Sequence, residues 1–408
     1  MVTLTSLTAA DTDTARALRS LADRLPVGSA QASLVFCFYG CVHDDEAIHA
    51  FLQERFPISA RIGGTSCGGV MSQEGVLAPE SIGLLVVEDS DGEYGVAGSP
   101  LGDDPTNTAE ALLHEALADA GCPGQLPELI WVYQAPGREE AVIEGLRRVV
   151  GETCPIIGGS SADDDVSGRW RQLGPAGPII DGLVVAVLFP SGGIGYAFQG
   201  GYEPTGTYGV VTRVAFDRTG DTGVITKSRG RRILEIDGQP AAEVYDRWIG
   251  GRLSDRLDTE GSILAETTMT PLAIEAGQAE GIDHFLLIHP DAIVEDRGLS
   301  TFADVREGAR VHSMRGDRQL LIERAGRVAR GAAARLDLER RAVAGALVIY
   351  CGGCRLAVGE RINDVPREIA GHLSGQPFLG CFTFGEQGRL LGRNVHGNLM
   401  ISAITFGQ

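Results

Sequence analysis

One pattern recurs three times along the chain and limits what the chain can fold into. It runs SLVFCFYGCVHDDEAIHAFLQERFPISARIGGTSCGG from Ser33 to Gly69 and ELIWVYQAPGREEAVIEGLRRVVGETCPIIGGSSADDD from Glu128 to Asp165. The third copy is ALVIYCGGCRLAVGERINDVPREIAGHLSGQPFLGCFTFGEQG, Ala346 to Gly388. Each opens on a short apolar or β-branched run, long enough for one buried strand. A loop follows, then about 15 residues with helical spacing, then a second apolar run ending in glycine. From the start of each copy to that glycine is 30, 30 and 34 residues (Ser33 to Gly63, Glu128 to Gly158, Ala346 to Gly380). A strand, a crossover helix and a second strand of one sheet fit this length, although spacing alone leaves the strand direction open. Repetition within one chain is a stronger signal than any single match.

Outside the repeats the text changes. The first 28 or so residues read as an amphipathic helix with Leu18, Leu21 and Leu25 on one face. The middle third holds apolar runs such as GLVVAVLF (Gly182 to Phe189) and GYAFQGG (Gly195 to Gly201), then ILEIDGQPAAEVYDRW. In that segment Asp237-Gly238 suits a hairpin turn and Pro240 can open a helix. The expectation is an α+β chain of two related αβ halves, built from repeated strand–helix–strand units with mixed sheets. The break is expected near residues 215 to 225. The division is an N-terminal helix or arm over 1–29, an N-terminal domain over 30–220 and a C-terminal domain over 221–408.

Composition narrows the partners. With 408 residues, two domains are the default. A formal net charge of −19 and the lack of a long basic run argue against nucleic acid and anionic membrane surfaces. No signal-peptide pattern and no long uninterrupted apolar stretch appear, so neither secretion nor membrane insertion is expected. Eight scattered cysteines suit reduced thiols in the cytoplasm better than a disulfide framework. The 56 glycines cluster at the ends of apolar runs, where tight loops let backbone approach a ligand.

Three groups of residues carry a resemblance. They are IGGTSCGGV (Ile62 to Val70) with IIGGSSADD (Ile156 to Asp164), then TKSRGRRILEIDGQPAAEVY (Thr226 to Tyr245). The last group is the closing block ALVIYCGGCR (Ala346 to Arg355), FLGCFTFGEQG (Phe378 to Gly388) and HGNLM (His396 to Met400). In their order and spacing the chain resembles a stand-alone, bacterial-type FIST protein, with FIST N-terminal and C-terminal domains covering nearly everything after residue 30. The resemblance implies an intracellular sensory module of signal transduction that binds a small ligand, with amino acids suggested. It also implies a haem-binding, nitric-oxide-sensing alternative found in a bacterial subset. Family members fused to kinases, cyclases or chemotaxis receptors carry segments not seen here, and the roughly 30 leading residues are too few for the F-box of eukaryotic members. Output is therefore expected through a separate signalling protein.

Candidate site residues follow from the repeat. Aligned on it, Gly40 and Cys41 fall opposite Gly353 and Cys354, with Pro136 at the same place in the middle copy. Loops after equivalent strand ends are natural pocket walls, because ligands of open α/β sheets sit outside the carboxyl ends of strands. Cys351 and Cys354 then have three readings. As small, mildly apolar groups they line or back a pocket. As a redox pair they need a thiol pKa lowered by a helix start and by Arg355; the two intervening glycines suggest a pliable loop instead. As half of a zinc site they need a second pair, for which Cys37 and Cys41 are the candidates, yet Cys37 falls within an apolar run. Pocket lining is favoured, redox second, zinc third.

Arg355 suits a ligand carboxylate through two parallel bonds. Glu386, just beyond the strand FLGCFTF, suits a ligand ammonium, or pairs with Arg355 as an internal salt bridge. Thr65, Ser66, Cys67, Gly68, Gly69, Gly158, Gly159 and Ser160 form small-residue turns whose N–H groups can hold an anion, although plain turn chemistry explains them as well. Asp163 to Asp165 suit a hard cation or, better, a solvated loop. The basic run Lys227 to Arg232 reads as a solvated hairpin edge, with an acidic partner or haem propionates as the alternative. His289, His312 and His396 are axial-ligand candidates only if haem binds, as the resemblance allows. No nucleophile elbow or dinucleotide fingerprint appears, so a non-enzymatic sensor is expected. A cysteine-based redox switch and an interaction scaffold are the remaining rivals.

Overall fold

A computed structural model of the chain describes residues 1–205, 221–279, 281–338 and 340–408. It divides into two compact units. The first comprises Met1–Gln199, Ile322–His396 and Met400–Gln408; the second comprises Gly200–Leu321 and Gly397–Leu399. Compactness thus divides the chain differently from the sequence halves at 30–220 and 221–408. Most of the expected break at 215 to 225 lies outside the described residues.

All three repeats lie in the first unit. Its strands are β1 (Thr3–Ala10), β2 (Leu34–Tyr39), β3 (Ala60–Thr65), β4 (Val70–Ser72), β5 (Gly75–Val76) and β6 (Ser81–Glu88). Next come β7 (Glu93–Pro100), β8 (Leu129–Gln134), β9 (Ile156–Ser160), β10 (Gln172–Gly174), β11 (Gly177–Ile179), β12 (Gly182–Phe189) and β13 (Ile194–Gly200). The last are β14 (Val343–Cys351), β15 (Phe378–Thr383), β16 (Glu386–Leu390), β17 (Arg393–Gly397) and β18 (Met400–Gly407). They form three six-stranded sheets of matching order: β1-β6-β2-β3-β10-β11, β7-β12-β8-β9-β16-β17 and β13-β18-β14-β15-β4-β5.

At the centre of each sheet is a parallel pair, which settles the direction that spacing left open. Leu34 pairs with Ala60 and Tyr39 with Thr65, Ile130 with Ile156 and Gln134 with Ser160, Ala346 with Phe378 and Cys351 with Thr383. The crossovers are helices α1 (Asp45–Arg55), α2 (Glu139–Val150), and the pair α3 (Gly352–Val358) and α4 (Asp364–His372). Local chemistry starts them: the Asp44 carboxylate accepts from the N–H groups of Glu46 and Ala47, and α2 opens on two glutamates and closes on Arg147 and Arg148.

Strand alternation then sorts the faces. Phe36, Trp131 and Leu347, on the three first strands, meet in one buried core with Ile62, Ile157 and Leu379 from the second strands. The Phe36 and Trp131 rings pack edge to face, 5.5 Å between centroids. On the opposite face, Val35 and Cys37 pack with Ile48 and Leu52 of α1, and Ile130 and Val132 with Val142 and Leu146 of α2.

The short hairpins are exchanged cyclically. The hairpin after the first parallel pair (β4–β5) joins the third sheet, that after the second (β10–β11) joins the first, and that after the third (β16–β17) joins the second. Each repeat therefore completes another's sheet edge.

The N-terminal reading needs correction. Residues Thr3–Ala10, taken as part of a helix or arm, form β1, paired over its whole length with β6. The helix is confined to Thr14–Ala22, with Leu18 and Leu21 buried. Tertiary pairing along a sheet edge overrides the local helical spacing here.

The second unit pairs antiparallel throughout its described strands. Asp237 (φ 52°) and Gly238 (φ 72°) make the left-handed turn expected of Asp-Gly, and Pro240 caps the helix Ala241–Trp248. Among the described residues, no helix is long and apolar enough to cross a membrane.

The repeated glycine has a steric cause. A Cβ on Gly63 would overlap the Cys37 carbonyl, and one on Gly158 would overlap the Val132 carbonyl, the same place in two repeats. We expect Gly158→Ala to destabilise the fold by about 1–3 kcal/mol, as overpacking does. Urea unfolding measures this, and an unchanged midpoint would mean that the neighbouring strand yields freely.

Candidate functional site

The parallel strands bring the third repeat's Ile349 to the place held by Phe38 and Tyr133 in the other two, with Cys351 two positions further along the same strand, level with Gly40 and Ala135. Phe38, Tyr133 and Ile349 follow the inward alternation of their strands, and the Phe38 and Tyr133 rings lie 5.1 Å apart. Tyr133 donates its hydroxyl to the Thr65 carbonyl at 2.6 Å. Thr65 braces the loop after β9, its Oγ1 accepting from the Arg171 N–H at 3.0 Å. Ser66 donates to the Gly69 carbonyl and accepts from the Phe382 N–H at 2.8 Å.

Around this frame four expected residues come together: Cys67, Cys351, Cys354 and Arg355. Cys351 is the N-cap of α3, so the segment expected to be pliable is instead the first turn of a helix. Gly352 is required there, because a Cβ would lie 2.8 Å from the Cys67 sulfur. The Arg355 guanidinium packs on Gly68, which has no room for a side chain, and on the Phe382 ring at 5.3 Å. Its Nη2 donates to the Gly68 carbonyl at 3.1 Å, while its buried Nε has no partner. The exposed Asp164 accepts from the Gly68 N–H. Arginine and carboxylate therefore flank one short stretch of backbone.

Burial governs the sulfur chemistry. It pushes the Cys351 thiol well above its usual range, and the neighbouring Cys354 adds to the effect. Cys67 is raised by burial against the pull of Arg355, and Cys41 is pushed up to about 12 by burial. Thiols held protonated and covered are poor nucleophiles and poor redox centres. Cys37, the zinc reading's extra ligand, packs in the apolar layer beneath α1 instead.

Glu386 needs the clearest correction. It does not pair with Arg355: it is fully buried, accepts from Thr383 Oγ1 at 2.8 Å and takes the Met400 N–H at 3.1 Å. Its ladder partner is Gly159, just as Gln172 faces Gly64 in the first sheet. Gln172 likewise accepts a backbone N–H, that of Gly182, at 2.7 Å. The position is thus a structural brace filled once by an amide and once by a carboxyl. Burial, then nearby Cys351, raise the Glu386 pKa well above the usual carboxylate range. Gly158 and Gly159 are spent in the same ladder rather than forming an exposed anion nest.

The remaining expectations fall elsewhere. Asp163 to Asp165 do three jobs: Asp163 is buried and takes the Arg169 N–H at 2.8 Å, Asp164 holds Gly68, and Asp165 pairs with Arg169 at 3.1 Å. A wholly solvated loop is therefore not what forms. In the second unit, Lys227, Arg231 and Arg232 edge a hairpin and pair with Glu235, Asp304 and Glu295. His289 is buried, bonded to Thr267 Oγ1 at 2.9 Å and pushed down to about 3 by burial. His312 packs against Phe285, and His396 bonds Glu140.

Two groupings escaped sequence reasoning. One is an open cavity of about 310 Å³ lined by His43, Asp44, Asp45, Glu46, Arg171, Pro178 and Ile180. The other joins Glu139 and Glu140 to His396, 256 positions beyond Glu140. Both arise because an exchanged hairpin packs against the start of another repeat's helix, a juxtaposition without a local sequence signal.

A raised carboxyl pKa has a defined pH signature. Such a group favours the fold most below its unfolded pKa, about 4.3, and loses that advantage as pH rises toward the folded value. Glu386→Gln, which copies Gln172, is therefore expected to gain on the wild type steadily between pH 5 and pH 8. Urea midpoints across that range test it, and a gap that stays flat would show an ionised Glu386.

Comparison with known proteins adds a family. The FIST N domain profile matches residues 33–219 and the FIST C domain profile residues 241–389. The uncharacterized protein MJ1623 of Methanocaldococcus jannaschii is 30% identical over 107 residues, 26% of this chain and 18% of that protein. The alignment thus spans under a fifth of that relative. Among solved structures, cyanuric acid hydrolase from A. caulinodans aligns over 100% of both chains at 12% identity and a TM-score of 0.35. A chorismatase aligns over 99% of both at 10% identity and 0.37. Likenesses this faint carry no argument about chemistry.

Proposed function

The chain belongs to the FIST family, and from that premise we propose that it senses a small carboxylate-bearing ligand, an amino acid being the first class to test. FIST domains are small-ligand sensory domains of signal transduction. The observation that carries the finer reading is Arg355. A guanidinium with a buried, unpartnered Nε, stacked on Phe382 and set against Gly68, retains donor capacity that a carboxylate would satisfy. Asp164, on the same stretch of backbone, offers an acceptor for an ammonium group. Glu386 has no part in this recognition, since its carboxyl is already engaged.

The reading is of a binding protein rather than an enzyme, with output through a separate signalling protein. Protonated, covered thiols at Cys67 and Cys351 support binding over nucleophilic or redox chemistry. The haem alternative draws no support from His289, whose Nε2 is engaged with Thr267.

Thermal melts against the twenty proteinogenic amino acids test the proposal. At least one is expected to raise the melting temperature of the wild type. The stabilisation should approach about 2.7 kcal/mol at a hundredfold excess over Kd, and Arg355→Gln should abolish it. A shift that survives Arg355→Gln would move the ligand elsewhere, and the absence of any shift would remove amino acids as the ligand class.

A further inference from the structure

The first turn of α2 and the β16–β17 hairpin enclose a second polar site, independent of Arg355. Glu139 and Glu140 start the helix, while His396 comes from β17. One ligand-capable atom of each lies within 4.8 Å of the others. His396 Nδ1 stands 2.9 Å from Glu140 Oε1, and its Nε2 stands 4.0 Å from Glu139 Oε1. The His396 side chain is fully covered and that of Glu139 nearly so, while Glu140 is 31% exposed and leaves a path to solvent.

Two further observations point to a ligand. Gln387 is fully buried, its Nε2 reaches Ser160 Oγ at 3.4 Å, and its Oε1 has no partner. Ser160 in turn donates to Glu139 Oε1 at 2.7 Å, so the buried Gln387 amide, with its oxygen unpartnered, is joined to the cluster through Ser160. Gly385 supplies the space. A Cβ there would lie 2.6 Å from His396 Nε2, 3.0 Å from Ser160 Oγ and 3.2 Å from Glu139 Oε1, so three polar atoms converge where no side chain stands.

We propose that Glu139, Glu140 and His396 bind a divalent transition-metal ion of the zinc class. One imidazole and two carboxylates match the nitrogen and oxygen donors such ions take, whereas calcium and magnesium favour all-oxygen shells. Ligands on a tetrahedral ion at about 2.1 Å stand about 3.4 Å apart, so side-chain rotations of about an ångström close the set. Ser160 orients Glu139, and Gln387 Oε1 accepts from a metal-bound water, as outer partners of metal sites do. The ion ties the third repeat's hairpin to the second repeat's helix.

Cobalt(II) titration of the full chain, with native mass spectrometry for stoichiometry, tests the site. Wild type is expected to bind one ion and to show visible d–d bands without a sulfur-to-cobalt charge-transfer band. Glu140→Gln, at a partly exposed position that should not disturb folding, is expected to weaken binding about tenfold or more. His396→Gln should weaken it further, with zinc competing for the same site. The proposal is overturned if wild type takes up no stoichiometric ion, if a sulfur band accompanies uptake, or if Glu140→Gln binds like the wild type.

Discussion

A parallel strand pair joined by a crossover leaves the second strand with an open edge of backbone N–H and C=O groups. In this chain each such edge is filled from a different repeat: β4 on β15, β10 on β3, β16 on β9. Edges left bare invite association, and buried backbone groups need partners. The exchange answers both demands, and makes no repeat complete without the next. It also sets the position of everything polar nearby, because each hairpin is the direct continuation of a strand-end loop.

From that constraint follows the split between bracing and binding. Two residues that enter the exchanged ladders are consumed by bracing: Gln172 and Glu386 hold backbone N–H groups, and Gly64 and Gly159 give up their side chains opposite them. Residues just before the ladder or on the crossover helix keep spare capacity. Arg355, on α3, and Asp164, in the loop before β10, meet across Gly68 rather than across a sheet. Glu386 shows the cost of occupying a ladder with an acid. It is buried with two hydrogen bonds and no arginine, and its neutral form is favoured.

Much of this architecture was legible in the sequence, and the reasons differ by feature. Four to six apolar residues followed by a helical stretch and a terminal glycine announce a strand and its crossover, and all three copies form parallel pairs. The Asp237-Gly238 turn was legible because few residue pairs accept two left-handed conformations. The exchange was not: β4 and β10 have three residues each, too few for any periodicity. Strand β1 was hidden because its apolar positions are also compatible with a helix. At the site, the location of Cys351 and Arg355 followed from the repeat. Their chemistry depends on burial and on Gly68, 287 positions from Arg355, which no local pattern reveals.

Native-state hydrogen exchange measured on the parallel pairs of the three sheets tests the cyclic closure most directly. If each repeat completes another's sheet, the amides of β2–β3, β8–β9 and β14–β15 share one opening free energy, that of global unfolding. Exchange of one pair at a clearly lower free energy, with the other two still protected, would contradict the account.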